Sequence, residues 1–559
     1  MQAKATVAGA AAAIALALAL AIVVALNPVV YDTMHVNDTT FMLQVASWVR
    51  DGDVPGVDFP HFYGGFHEAF VALGLDISGG NVKALDYARV LQFAVVAVLV
   101  GLVSWKRLDG LSSSLLILLF AIVLFAALPM EERAYVSVVD IESAHSFAYN
   151  RWGTCLVLIC AAVLIRRSND RFAEIAGGAI AGFAAMAAIL TKITFFPIVF
   201  AMILGFAITG RWKPLIAFLL AAAATGVAFD PTGARTFGVL AYSMDSTATS
   251  GSESWMVRKA FQLVFSHNVE VLAFLLVFAL TLFTKPRREA LGLIASGLLL
   301  LAAFWATAVT MGPAGLVGHQ AMPFIVGLML LVMPDLAKPD IKRIAVALLA
   351  VVSLAFAGPH VLNFAAANLA AVRNADEVAF SSGPLAGYLA RGEWRVTNDG
   401  RVVSARNDPA GAAEATAERL SKSEAAIDAT SHYVLLYDAV ALLDGLSVPD
   451  GYGVVSDTAL GIGFAVGADR AEGFPAWPRS TSPEFRDGSD PLRRASLALV
   501  MRPRETDVRS AMTPHLNSGK FVLCRESELW RVYALQSHHE DKCTLSRLTS
   551  KTAASWVQR

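Results

Sequence analysis

Two polar stretches and one isolated lysine hold the side chains able to do chemistry in this 559-residue chain. The first stretch runs from His35-Val36-Asn37-Asp38-Thr39-Thr40-Phe41 through Trp48-Val49-Arg50-Asp51-Gly52-Asp53-Val54-Pro55-Gly56-Val57-Asp58-Phe59 to Phe62-Tyr63-Gly64-Gly65. Phe41, Met42, Val45, Trp48 and Val49 recur at helical spacing, which predicts an amphipathic helix lying on a membrane surface with Asp38 at its amino end. An Asp there caps the helix well, and a carboxylate within reach of a hydroxyl can also take its proton. The second stretch holds Glu131, Glu132, Arg133, Asp140, Glu142, His145 and Arg151. Its acids would suit a divalent cation, Mg or Ca, because those ions prefer hard oxygen ligands, but the spacing follows no recognised cage. Lys192 stands between two apolar runs, where a charge is costly unless it faces a polar cavity or a partner. The plainer alternative is a lysine that snorkels to the interface and caps a helix carboxyl end.

These residues are positioned by a chain of mostly apolar runs. Of the residues, 56% are hydrophobic and 16% charged, with a net charge of -1, which excludes a disordered or fibrous protein and leaves a polytopic membrane protein. The absence of a basic excess argues against a nucleic-acid partner. Runs long enough for spans fall near 7–26, 87–104, 112–128, 153–165, 174–190, 193–209, 214–229, 267–284, 290–310, 320–333 and 344–358, about eleven helices in all. Lys106 and Arg107, Arg166, Arg167 and Arg171, Arg211 and Lys213, Lys285, Arg287 and Arg288, then Lys338, Lys342 and Arg343 occupy every second loop. All can be cytoplasmic together, which places both polar stretches, Lys192 and the segment after residue 360 outside. The first apolar run is longer than a signal-peptide core and is read as a retained helix.

From about residue 361 the chain reads as a soluble α/β domain. Helical pattern is expected at 362–373 and 410–427. Strands are expected at Tyr433–Tyr437, Gly461–Val466, Leu497–Met501, Phe521–Leu523 and Leu529–Leu535. Cys155 and Cys160 fall inside a span as small core residues, whereas Cys524 and Cys543 lie in the tail, where a disulfide between them is expected.

An acidic residue after the first helix, an amphipathic segment, Gly52, then Pro55, Asp58, Phe59 and the pair Tyr63-Gly64 together resemble the first outside loop of the GT-C superfamily of polyprenyl-phosphate-sugar-dependent glycosyltransferases. That superfamily includes protein mannosyltransferase-like and aminoarabinose transferase-like enzymes. Leu190-Thr191-Lys192-Ile193-Thr194 is similar to its Leu-x-Lys-x-Thr element, and His319-Gln320-Ala321-Met322-Pro323 to its His-Arg-Tyr-x-x-Pro element without the Arg and Tyr. The likeness covers roughly residues 1–360. Many relatives carry paired acids where this chain has Asp38-Thr39.

The resemblance implies an α-helical polytopic fold, with residues 1–360 as the catalytic membrane domain and 361–559 as a periplasmic α/β domain, in a bacterial inner membrane with the amino terminus cytoplasmic. It implies transfer of a sugar from a polyprenyl-phosphate donor to a glycan, lipid or protein acceptor, with inversion and without a covalent intermediate or a required cofactor. Asp38 is then the base, and Asp140 or Glu142 the second acid. Lys192, Arg133, Arg151, Arg258 and His319 are the candidates for the donor phosphate, whose charge grows as it leaves. His35, Asp58 and Tyr63 complete the pocket. The competing readings are a transporter or flippase and an O-antigen ligase- or polymerase-like protein. The first would set charges deep within helices and show two similar halves, and the second would concentrate Arg and His in a large late loop. Neither pattern occurs here.

Overall fold

The computed structural model describes residues 2–32, 36–125, 145, 148–249, 287–310, 317–332, 383–390, 395–398, 401–404, 408–422, 429–475, 482–486 and 490–539, with isolated positions between and after them. Its membrane-length part contains α1 (Gln2–Leu26), then β1 (Val30–Asp32), α2 (Val36–Arg50) and α3 (Phe66–Ser78). There follow α4 (Ala84–Ser104), α5 (Gly110–Phe125), α6 (Ala148–Ile165), α7 (Arg171–Thr191), α8 (Phe196–Ile208), α9 (Trp212–Phe229), α10 (Ala234–Thr249), α11 (Arg287–Thr310) and α12 (Val317–Val332). Five described helices, beginning at Val7, Ala84, Ala148, Arg171 and Trp212, are long and apolar enough to cross a membrane. Nine of the expected spans coincide with described helices. Those near 267–284 and 344–358 lie largely outside the described residues.

From Cys155 onward helix α6 is apolar all round, and it accordingly sits at the centre, with every residue buried. Around it α1, α4, α8 and α9 turn Leu18, Ile22, Val98, Leu102, Phe200, Ile216 and Leu220 outward. Contiguous apolar faces of this kind are stable in lipid and unfavourable in water. The basic loops gather at one end of the bundle, where Arg107 and Arg211 close on Glu174 at 2.5 and 2.6 Å and Lys106 pairs with Asp170. The basic loops at 106–107, 166–171 and 211–213 thus share one end, while Lys285, Lys338, Lys342 and Arg343 lie outside the described residues.

The remaining chain supplies β2 (Tyr388–Ala390), the hairpin β3–β4 (Arg395–Asn398, Arg401–Ser404), α13 (Pro409–Lys422), α14 (Ala429–Leu443), β5 (Gly453–Ser456), β6 (Ala495–Met501), α15 (Asp507–Leu516), β7 (Phe521–Glu526), β8 (Trp530–Leu535) and β9 (Ser546–Arg547). A five-stranded sheet has the order β5-β6-β8-β7-β9, antiparallel between β6, β8 and β7 and parallel at both edges. A disulfide joins Cys524 to Cys543, as expected, and Cys155 and Cys160 are buried free thiols. The expected strand at Tyr433–Tyr437 is instead the middle of α14. Burial at Tyr433, Leu436, Ala439 and Leu443 follows a helical period, and the aromatic, β-branched look of the run hid it. Gly461–Val466 is likewise a helical turn, Ile462–Ala465, started by a glycine.

Helix α2 forms as expected, but protein rather than a membrane surface covers its apolar face. Phe41, Met42, Leu43, Val45, Ala46 and Trp48 are all buried. One hydrophobic core contains Met42, Leu43 and Ala46 of α2 with Val71 and Leu75 of α3, Leu435 and Leu436 of α14 and Leu497 and Leu499 of β6. The parallel pairing of β1 with β2 ties the exit of α1 to the same region, Val30 lying opposite Tyr388.

Candidate active site

The end of the bundle away from the basic loops is organised by the segment 59–65. Its rings form a continuous series in which Phe59 meets Trp48 at 5.2 Å, His61 meets Tyr63 at 5.0 Å and Tyr63 meets Tyr149 of α6 at 4.3 Å. Gly64 makes this possible, because a Cβ there would lie 2.1 Å from the carbonyl oxygen of Leu190. Only a residue without a side chain brings Tyr63 against the end of α7, where the next residues are Thr191 and Lys192.

Lys192 is buried at the junction between α7 and the turn Ile193–Phe195. Its Nζ stands 5.6 Å from the Tyr63 ring centre and 5.2 Å from that of Tyr149, and it donates to Asn150 Oδ1 at 3.5 Å. Burial pulls the ammonium down to about 7. Tyr63 donates its hydroxyl proton to the Tyr149 oxygen at 2.8 Å. Asp38 lies in the first turn of α2, accepts from Asn37 Nδ2 at 3.2 Å, and is near enough to act electrostatically on the Tyr149 phenol, as is Glu68. Arg151, two residues after Tyr149 and buried, acts in the same way on His67.

Sequence reasoning missed Glu68, His61 and Arg235. Glu68, in the first turn of α3, accepts from His61 Nε2 at 3.1 Å, and both side chains are only 1% exposed. Burial pushes the Glu68 carboxyl up, but the hydrogen bond and charge of His61 outweigh it, so the group sits below its ordinary value and stays ionised. The second oxygen of Glu68 and Nδ1 of His61 are buried without a hydrogen-bond partner among the described residues, two polar atoms ready for a substrate hydroxyl. Beside them Gln92 donates to His67 Nδ1 at 2.8 Å and His67 Nε2 faces Met42 Sδ at 3.0 Å, with burial holding that imidazole neutral, down to about 4. Arg235, at the start of α10, lies over the Phe229 ring at 4.2 Å and feels the Glu68 charge. The one signal that could have marked the pair was the density of His and Glu on both sides of Tyr63-Gly64, in Pro60-His61 and His67-Glu68.

Of the residues singled out from sequence, Asp38, Tyr63 and Lys192 thus meet around Tyr149, and Arg151 lies two residues further along α6. Asp58 serves locally: it is exposed and accepts the Val54 N–H at 2.7 Å, holding the Pro55-Gly56 turn. His35, Arg133, Asp140, Glu142 and Arg258 lie outside the described residues, as does the side chain of His319 in α12. Chemically, the arrangement offers two carboxylates, three cations and two phenols at one end of a lipid-facing bundle.

No family model matches the sequence, and no curated protein does. Among solved structures, the chain is similar to ArnT from Cupriavidus metallidurans bound to undecaprenyl phosphate, with a TM-score of 0.48 and 13% identity, covering 93% of this chain and 97% of that one. It is similar to the archaeal oligosaccharyltransferase AglB from Archaeoglobus fulgidus in complex with an inhibitory peptide and a dolichol-phosphate, with a TM-score of 0.41 and 10% identity over 88% and 69% of the two chains. The apo state of the Cupriavidus ArnT gives a TM-score of 0.40 and 14% identity over 96% and 98%.

Proposed function

We propose that this chain is a membrane glycosyltransferase of the GT-C type that moves a sugar from a polyprenyl-phosphate donor to a hydroxyl-bearing acceptor on the side of the membrane away from the basic loops. The observation that carries this reading is the meeting of Asp38, Tyr63 and Lys192 around Tyr149, residues drawn from three separated parts of the sequence. A lipid-linked donor presents its phosphate at the boundary between hydrocarbon and water, the depth at which helix junctions such as 191–193 occur. Lys192 and Arg151 there offset the charge that builds on the departing phosphate, in a buried setting that strengthens the interaction. Asp38 accepts the proton of the attacking hydroxyl as the new bond to the anomeric carbon forms and the old carbon–oxygen bond to phosphate breaks, so the configuration inverts.

Glu68 fills the place of the second acid that Thr39 leaves vacant. Its hydrogen bond to His61 leaves one carboxylate oxygen to orient an acceptor or sugar hydroxyl. Residues 361–559 form the accessory unit in this reading, packed on α2 so as to hold Asp38 in place. Purified protein assayed for sugar release from a polyprenyl-phosphate sugar donor tests the assignment. Asp38→Asn is expected to lower turnover by about 100- to 10,000-fold with little change in thermal stability, and Glu68→Gln to lower it less. Full activity in Asp38→Asn would remove it as the base.

A further inference from the structure

A second polar cluster lies on α4, one to two turns from Gln92, and the function proposed above does not use it. Asp86 sits between two cations, Lys83, whose Nζ is 2.5 Å from Asp86 Oδ2, and Arg89, which donates to Asp86 Oδ1. Arg89 also donates from Nη2 to His145 Nε2 at 3.0 Å. The same Nε2 lies 3.5 Å from Asp86 Oδ1, and burial and the adjacent Arg89 charge hold His145 down to about 4, so the imidazole is neutral. Two cations, the buried Arg89 and the half-buried Lys83, therefore face one carboxylate, leaving the cluster with a net positive charge among the described residues. Arg151 acts on His145 as well and adds to the positive side.

Two nitrogens of this cluster, Nε of Arg89 and Nδ1 of His145, have no hydrogen-bond partner among the described residues, although Arg89 is 7% and His145 4% exposed. Both side chains line a cleft of about 360 Å³, counting its mouth. One wall of the cleft is polar, closed by the hydrogen bond from Asn27 to Asn368 at 2.7 Å, and the other is apolar, made by Val24, Phe125 and Phe364. A cluster of net positive charge whose buried guanidinium keeps an unsatisfied N–H is unfavourable unless an anion completes it. The edge of a guanidinium favours the oxygens of a phosphate. The apolar wall at the end of two membrane-length helices suits the first carbons of a lipid tail.

We propose that this cleft between α1, α4 and the helical residues 364–369 binds one phosphate-bearing anion, an ester headgroup or free phosphate, through Arg89 and His145. Full-length protein in detergent would be titrated with dioctanoyl phosphatidylglycerol, with inorganic phosphate and with dioctanoylglycerol, reading bound stoichiometry by native mass spectrometry and the shift in melting temperature. The expected result is one tightly held phosphatidylglycerol, weaker binding of inorganic phosphate at the same place, and none of dioctanoylglycerol. Tighter binding of free phosphate than of the lipid would assign the site to the free ion. Arg89→Lys keeps the charge opposite Asp86 but loses the Nε donor, and His145→Ala removes the other unpartnered nitrogen. Each is expected to weaken phosphatidylglycerol binding at least tenfold, while Lys192→Gln leaves it unchanged and so separates this cleft from the donor site. Equal binding by wild type, Arg89→Lys and His145→Ala, or equal retention of dioctanoylglycerol, would overturn the proposal.

Discussion

Lys192 is the residue at which burial and chemistry meet most sharply. In the free protein, burial draws its ammonium from 10.5 to about 7. A bound phosphate supplies an opposite charge and favours the protonated form, so above pH 7 the donor binds together with a proton. Donor affinity is therefore expected to fall as pH rises from about 7 to 9, approaching tenfold per unit. Lys192→Arg, charged throughout, should flatten the profile. A Michaelis constant for donor that stays level in wild type across that range would argue against the contact. For folding the sign is opposite. Between about 7 and 10.5 the unfolded lysine holds a proton that the folded one does not, so this group's contribution to stability improves with rising pH in that window. Asp38 and Lys192 stand out in the sequence as candidates because each breaks the composition of its surroundings. Glu68 was not, because a Glu in the first turn of a helix is an ordinary stabiliser of the amino end. Its role becomes visible only when His61, seven residues earlier, folds back onto it.

At the scale of elements, most of the bundle could be read from apolar runs, and nine expected spans appear as helices at nearly the expected places. Hydrophobic period does not specify what an amphipathic face packs against, so α2 was assigned to a membrane surface although α3, α14 and β6 cover it. The same ambiguity turned the aromatic run Tyr433–Tyr437 into an expected strand. The Tyr63-Gly64 pair shows how an element is seated by a single missing side chain. Gly64→Ala would drive a methyl group into the Leu190 carbonyl. It should displace Tyr63 from Lys192, cost about 1–3 kcal/mol in stability and lower turnover by about tenfold or more for each 1.4 kcal/mol of lost transition-state binding. Thermal melts and turnover measured on the same preparation check this, and an unperturbed variant would mean that the close approach is not maintained in solution.

Across the whole molecule, the region after residue 380 is not an independent appendage but part of the structure that holds the first loop. Thr40 Oγ1 donates to the Leu460 carbonyl at 2.8 Å, Arg470 pairs with Asp53 at 2.7 Å, and Trp477 meets Phe41 edge-on at 4.9 Å. Gly461 sits at the tightest point of this contact. Its φ is +57°, and a Cβ there would come within 2.3 Å of the Thr40 carbonyl oxygen, two residues from Asp38. Gly461→Ala is expected to loosen α2 and reduce turnover while the donor Michaelis constant, which the proposed function assigns to Lys192, changes little. A change in that constant alone would contradict the proposed division of labour. None of this coupling was visible in the sequence, since Thr40 and Leu460 are 420 residues apart and neither belongs to a motif.

The central claim, that a lipid phosphate binds at the α7–α8 junction, is tested most directly by a cryo-electron microscopy map of the protein reconstituted with a polyprenyl phosphate. The account predicts phosphate density within about 3 Å of Lys192 Nζ, the range of a charge-assisted hydrogen bond, with the polyprenyl chain leading from it into the lipid. Phosphate density at another helix junction, with none beside Lys192, would contradict it.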